Sequence, residues 1–248
     1  MTKLNKLLTN WPSNLVYTTK YLNEHGYSAA LIAQYKKSNW LQAVGNGAVI
    51  KKGDQLDWRG AVVAMQKQLN LQIHVAARTA LRMQGVSHYV RYREQVILFG
   101  EVKTRLPTWF RTQKWNEEPQ YYTSKLFDTD LGILSHKADS FSLRISSRER
   151  ALFEQLYLVP KHASFEESSY LFQGLATLRA DLIQELLVQC HSIKVKRLFM
   201  VIAEHLNYPW VRKLDATGID FGRGNRQIDP GGTTNAKYKI TTKLPFHF

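Results

Sequence analysis

Apolar and polar positions follow two different periods along this chain, and each change of period marks an element. From Thr18 to Lys37 the text reads TTKYLNEHGYSAALIAQYKK. Tyr21 and Leu22 point inward from a short helix that Thr18 can cap. Ser28 can cap a second helix, whose Leu31, Ile32 and Tyr35 fall on one face. Gly26 stands between the two, where a tight turn needs a positive φ. The period then shortens. Trp40–Val44 and Ala48–Ile50 read as strands on either side of Gly45-Asn46-Gly47, and Asn-Gly is a strong hairpin signal because both residues tolerate positive φ. Asp57 opens a helix that buries Trp58, Ala61, Val62, Met65 and Leu69. A further helix runs from about Ala76 to Gln84 and stops at Gly85, and these two are expected to complete an N-terminal core.

Near Tyr92–Gln95 helical spacing gives way to the strand-like run Val96-Ile97-Leu98-Phe99, which places a domain boundary there: residues 1–93 and residues 94–248. Segment 101–120 reads as irregular, broken by Pro107 and Pro119, with Trp109 and Trp115 exposed. Phe141–Ile145 is a strand. Ser146 and Glu149 have the spacing of a capping box for a helix that buries Leu152, Phe153 and Leu156. Residues 178–190 and 193–206 are two more helices, the second with Val195, Phe199, Ile202 and Leu206 along one buried face. Ile219–Phe221 and Tyr238–Thr242 read as strands around a glycine-rich turn. The expected fold class is α+β, an N-terminal winged helix-turn-helix domain followed by a mixed α+β C-terminal domain.

Charge changes this picture more than bulk composition does. The 248 residues are 44% hydrophobic and 22% charged, as in a folded protein, and the formal net charge is +14. Residues 1–93 hold thirteen Lys/Arg against three acids, a net +10, whereas residues 94–248 hold only +4. A duplex is a dense line of phosphates whose condensed counterions are released by Lys and Arg, so a basic domain of this kind suits double-stranded DNA. Ser28, Ala29, Ala33, Gln34, Lys36 and Lys37 lie opposite the apolar face of the second helix. In a major groove, Gln34 can read adenine and the lysines can meet guanine or phosphate. Thr18 and Thr19 at the first helix, with Asn46, Lys51 and Lys52 on the hairpin, complete the candidate DNA-binding set. A basic but inert surface, or a winged helix that meets a protein instead, fits the same residues.

Catalytic patterns are missing. The single cysteine, Cys190, excludes an intrachain disulfide and a cysteine-rich zinc site, and its apolar neighbours suit a small buried side chain. None of the eight histidines has HExxH spacing, and neither a P-loop nor a GxSxG setting occurs, so no metal, no cofactor and no enzymatic activity are expected. Gly222-Arg223-Gly224-Asn225-Arg226 is glycine-rich and basic. With Lys237 and Lys239 nearby, Arg223 and Arg226 are candidates for a phosphate or protein contact, and a plain loop turn is the competing reading. The opening MTKLNKLLTNWP has no apolar core of signal-peptide length, and the longest apolar run, Leu198–Ala203, is too short for a bilayer, which gives a cytoplasmic expectation with no membrane partner.

From residue 14 onward the chain resembles the AbiEi family, the antitoxin half of abortive-infection toxin–antitoxin systems. The resemblance rests on LVYTTKYLNEHGYSAALIAQYKKSNWLQAVGNGAVIKKGD, HVAARTALRMQGVSHYV at 74–90, TRLPTWF at 104–110, YPWVRKLD at 208–215, FGRGNRQIDPGG at 221–232 and KYKITTKLP at 237–245. It implies an N-terminal domain that represses its own operon by binding inverted repeats in the promoter. It also implies a C-terminal domain that counters a nucleotidyltransferase-like toxin, AbiEii. One departure is Asn225, where the family usually carries a further lysine. The alternatives keep the DNA-binding half and make the C-terminal domain a sensor of a ligand or of another protein, or an enzyme acting on the toxin or a nucleotide.

Overall fold

The computed structural model describes residues 1–86 and 95–244, so the 87–94 stretch around the expected domain boundary and the SHYV end of the 74–90 motif lie outside the described residues. The chain is a mixture of helices and sheets. It opens with α1 (Lys3–Thr9), β1 (Tyr17–Thr18), α2 (Thr19–Glu24), α3 (Ala29–Lys37), β2 (Leu41–Ala43), β3 (Ala48–Lys51) and α4 (Trp58–Lys67). β1, β3 and β2 form a small antiparallel sheet in that order, with Tyr17 opposite Val49 and Gln42 opposite Ile50. Only two residues long, β1 is held on its other side by a side chain. The buried Gln68 accepts from Thr18 N at 2.7 Å and donates to Val16 O at 2.8 Å, so its carboxamide takes the place of a neighbouring strand.

A five-stranded sheet follows, ordered β6-β5-β4-β8-β7 and built from β4 (Ile73–Val75), β5 (Gln95–Gly100), β6 (Glu118–Thr123), β7 (Ile133–Ala138) and β8 (Phe141–Ser146). β5 and β6 are parallel, from Gln95 opposite Glu118 to Gly100 opposite Thr123. Val96 to Phe99 are all buried, which explains why that run is continuously apolar rather than alternating. The helices α5 (Ala77–Met83), α6 (Thr108–Arg111), α7 (Arg148–Leu158), α8 (Phe165–Gln173), α9 (Ala180–Gln189) and α10 (Ile193–Leu206), and a last sheet of β9 (Arg226–Gln227), β10 (Thr233–Asn235) and β11 (Ile240–Thr242), complete the chain.

Two compact units arise from this path. The first comprises Met1–His74, Arg93–Thr123 and Ser135–Arg144, and the second comprises Val75–Tyr92, Ser124–Leu134 and Ile145–Phe248. In the second unit Phe153 stacks on Phe199 with centroids 4.4 Å apart, and Phe172 and Trp210 close around the same ring.

Four local expectations need correction. Ser147, not Ser146, caps α7, its hydroxyl accepting from Arg150 N at 3.3 Å. Ser146 finishes β8 and donates to the Glu154 carboxylate at 2.6 Å. α5 joins the second unit instead of the N-terminal core. It has no capping side chain of its own, and its first amides, Ala77 N and Arg78 N, reach Glu154 and Gln155 of α7. Trp109 is buried, 4% exposed, because α6 carries it inward. Ile219–Phe221 is not a strand, since the Phe221 carbonyl goes to a buried arginine, described below, rather than to a ladder.

Candidate nucleic-acid interface

The segment 18–52 folds as its capping residues dictate. Thr18 Oγ1 accepts from Tyr21 N at 3.2 Å and opens α2, and Ser28 Oγ accepts from Leu31 N at 3.3 Å and opens α3. Each cap contributes about 1 kcal/mol to its helix. Gly26 joins them at φ +85°, and its carbonyl receives Lys3 Nζ at 2.6 Å, so α1, a helix the sequence did not announce, fastens the turn. Inward, Leu22, Ile32 and Tyr35 are buried, with Leu31 half-buried. Outward, Ser28, Ala29, Ala33, Gln34, Lys36 and Lys37 are all exposed along one side of α3. Tyr21 is half-buried in an aromatic stack that runs from Trp11 through Tyr17 and Tyr21 to His25, the last two ring centroids 3.9 Å apart.

The hairpin sets part of the remaining candidate group beside this helix. Lys52 N donates to Trp40 O at 3.0 Å and Trp40 N to Tyr35 O at 2.9 Å, which ties the open end of the hairpin to the C-terminal end of α3. Lys52 is exposed there, and Asn46 is exposed at the tip. Trp40, counted as a strand residue from its sequence, is 49% exposed between Lys37 and Lys52, and an aromatic residue beside three lysines is a surface that sequence reasoning missed.

Three candidates are turned to other work. Thr18 is buried, 2% exposed, as the α2 cap. Thr19 is half-buried and binds the hairpin tip, its N–H donating to Gly47 O at 2.9 Å and its hydroxyl to the same oxygen at 3.3 Å. Lys51 is drawn inward, its ammonium on Trp11 O at 2.9 Å and 3.8 Å from Asp54. Its charge is spent inside the fold. Arg78 and Arg82 of α5 are half-buried and engaged.

The second basic group splits in two. Arg226 N donates to Lys239 O at 2.9 Å and Lys239 Nζ to Arg223 O at 3.4 Å, so these three stand together and exposed. Lys237 leans away onto Glu204 at 2.5 Å. The loop under them is organised by Arg197, a buried side chain that donates to the carbonyls of Phe221 (2.6 Å), Gly224 (2.6 Å) and Lys239 (3.0 Å). The glycine-rich text is therefore backbone wrapped around a guanidinium. Arg226 also borders a cleft of about 370 Å³ with Lys125, His191 and Lys194. Burial, with Arg226 and Lys161 nearby, pushes Lys194 down to about 8. Lys194 itself donates to the Tyr157 and Val159 carbonyls. Burial pushes the Cys190 thiol up to about 11, so it stays protonated at neutral pH.

Among the described residues no group of three His, Cys, Asp or Glu side chains is placed to hold a metal ion, and no helix is long and apolar enough to cross a membrane. Residues 1–92 match a family model described as a transcriptional regulator, AbiEi antitoxin N-terminal domain. Residues 93–243 match one described as a transcriptional regulator, AbiEi antitoxin, of a type IV toxin–antitoxin system. No curated protein matches the sequence. Among solved structures, the RV2827C protein from Mycobacterium tuberculosis is similar over 97% of this chain and 90% of its own, with a TM-score of 0.62 at 13% sequence identity, a likeness of fold.

Proposed function

Since the chain belongs to the AbiEi antitoxin family of transcriptional regulators in type IV toxin–antitoxin systems, we propose that α2, α3 and the β2–β3 hairpin are a winged helix-turn-helix that binds the promoter of its own operon and represses it. Residues 1–93 read DNA and residues 94–248 meet the partner toxin, a nucleotidyltransferase-like protein of the AbiEii kind. The observation that carries the reading is the outer side of α3. It presents Gln34, Lys36 and Lys37 to solvent beyond a buried Leu22–Ile32–Tyr35 seam, with Lys52 and Trp40 at its end. An α-helix fits the major groove, and short residues such as Ser28, Ala29 and Ala33 let its backbone approach the bases while longer ones reach them. Asn46 and Lys52 extend the contact to the neighbouring backbone or minor groove. Thr18, Thr19 and Lys51 act from behind, by capping α2, by holding the hairpin tip and by bracing β3.

In the second unit the exposed cluster of Arg223, Arg226 and Lys239 supplies the charge for a contact with the toxin or with a phosphate, while Lys237, paired with Glu204, contributes less. The protein acts in this scheme by binding, in the cytoplasm, without a cofactor and without catalysis. The test has two arms. Purified full-length protein should shift DNA from upstream of its own reading frame more tightly than a scrambled duplex at the same salt, and co-expression should relieve growth arrest by the adjacent gene's product. Equal binding to both duplexes removes the repressor role, and arrest that persists with the antitoxin expressed removes the neutralising one.

A further inference from the structure

We infer that the segment Thr104–Phe110, through Trp109, positions the hairpin tip that carries Asn46, and so belongs to the DNA-reading apparatus although it lies beyond residue 92. The inference rests on the winged reading above and concerns how the wing is held. The TRLPTWF text lies in the first unit, yet the DNA-binding surface described so far makes no use of it.

The geometry is a two-sided clamp inside the first unit. On one side the tip is held by Thr19, whose N–H and hydroxyl both donate to Gly47 O. On the other it lies directly on α6. A methyl group added at Gly45 would stand 3.1 Å from Trp109 Cβ and 3.2 Å from Trp109 Cα, and one added at Gly47 would stand 3.8 Å from the indole Cδ1. Gly45 is at φ +69°, so both its backbone conformation and the approach of α6 call for glycine. α6 is a single turn, too short to be firm by itself, and it is braced by its own sequence. Arg111 Nε donates to Leu106 O at 3.1 Å and Trp115 Nε1 to Phe110 O at 2.9 Å, and the Trp109 and Phe110 rings meet edge to face at 6.0 Å. A tip clamped in this way meets DNA with its conformation already set, and ordering it on binding costs nothing further.

Such a clamp explains why a four-residue helix between β5 and β6 carries two buried aromatic residues, Trp109 and Phe110. It also makes Trp109 a positioning residue rather than a DNA contact, since its ring is inside.

The contact can be approached from both sides in the full-length protein. Trp109→Ala withdraws the ring from under Gly47, Gly45→Ala pushes the tip off α6, and Trp109→Phe keeps a ring in place. For the first two, the affinity for the upstream duplex should fall about tenfold. The log–log salt slope should stay as it is, because the tip carries no cation. Amide exchange at Asn46 and Gly47 should quicken, and Trp109→Phe should restore both the affinity and the exchange rates. A purely structural role would lower the melting midpoint and leave the affinity and the tip amides unchanged at temperatures where the variant is folded. That pattern overturns the inference. If the wild-type protein itself ignores the upstream duplex, the winged reading has failed separately, and the exchange rates of Asn46 and Gly47 still decide whether Trp109 holds the tip. Should Trp109→Ala not fold, Gly45→Ala and Trp109→Phe carry the comparison.

Discussion

Around α3 the cations stand in water. Lys36, Lys37 and Lys52 are exposed, and no hydrogen bond or ion pair is seen for their side chains among the described residues. In the second unit the most firmly held cations are inside. Arg197 serves three backbone carbonyls. Arg150, 8% exposed at its side chain, donates to Glu154 at 2.9 Å and to the carbonyls of Thr129 and Leu131. Lys194 caps two more carbonyls. The difference lies in the surrounding backbone. Where the chain runs as helix and hairpin its carbonyls are already paired, and a lysine has only solvent or a ligand to meet. Where the chain is irregular, buried carbonyls lack donors and an arginine is recruited to supply them. Charge counts alone do not separate these uses, and the net +10 of residues 1–93 bears on DNA through the part of it, Lys36, Lys37 and Lys52, that stays exposed.

That contrast can be broken most forcefully at Arg197. Replacing it with methionine takes its bonds from the Phe221 and Gly224 carbonyls and one of two donors from Lys239 O, and unfolding stability should drop by about 3 kcal/mol. Lys37→Met should change stability by no more than about 0.5 kcal/mol. Urea midpoints measure both, and equal shifts would erase the distinction between structural and available charge. A smaller effect is expected in acid. Burial would raise the Glu149 carboxyl, but the side-chain and backbone donors of Arg179, together with Ser147, outweigh it and hold it below its ordinary value of 4.5. A group depressed on folding stabilises the fold fully above its unfolded value, and the contribution disappears as pH falls through the folded one. Stability should therefore decline below pH 4.5, and Glu149→Gln should flatten that limb of a denaturation–pH curve. A decline of the same slope in the variant would assign it to other carboxylates. Smallest of all is Lys52→Ala. Its folding should be untouched, and its affinity for operator DNA should weaken only several-fold, with the salt slope lower by about one unit in a binding titration; a loss of stability there would mean that Lys52, like Lys51, is committed to the fold.

Periodicity made most of the helical framework legible, because α3, α4, α7 and α10 each carry apolar residues at helical spacing behind a capping side chain, although α4, α7 and α10 prove buried on most of their surface. The hairpin was legible from Gly45-Asn46-Gly47 alone. What escaped depends on partners far away in sequence. Lys51 reads like Lys52 until Trp11 O, forty residues earlier, claims its ammonium. Trp109 looks exposed between two prolines until the glycines of the hairpin tip make room beside it. Capping-box spacing favours Ser146 over Ser147, and Glu154 reverses the choice by taking the first hydroxyl from within the core. Ile219–Phe221 has strand-like text, but Arg197 offers Phe221 O a stronger donor than a ladder would. The exposed side of α3 was foreseen residue by residue, since it is simply the complement of a buried face. Thr18 was legible as the cap of α2, whereas the roles of Thr19 and Lys51 were not, because side-chain commitment to distant backbone is invisible to spacing.

The central claim is that the free charge on α3 is there for DNA phosphates and bases. Its most direct test is the salt dependence of binding to the upstream duplex, compared between the full-length protein and the Lys36→Ala/Lys37→Ala variant. The account predicts a log–log slope shallower by about two units in the variant, roughly one per lysine, with an unchanged melting midpoint. Parallel salt curves for the two proteins would contradict it and take α3 out of the interface.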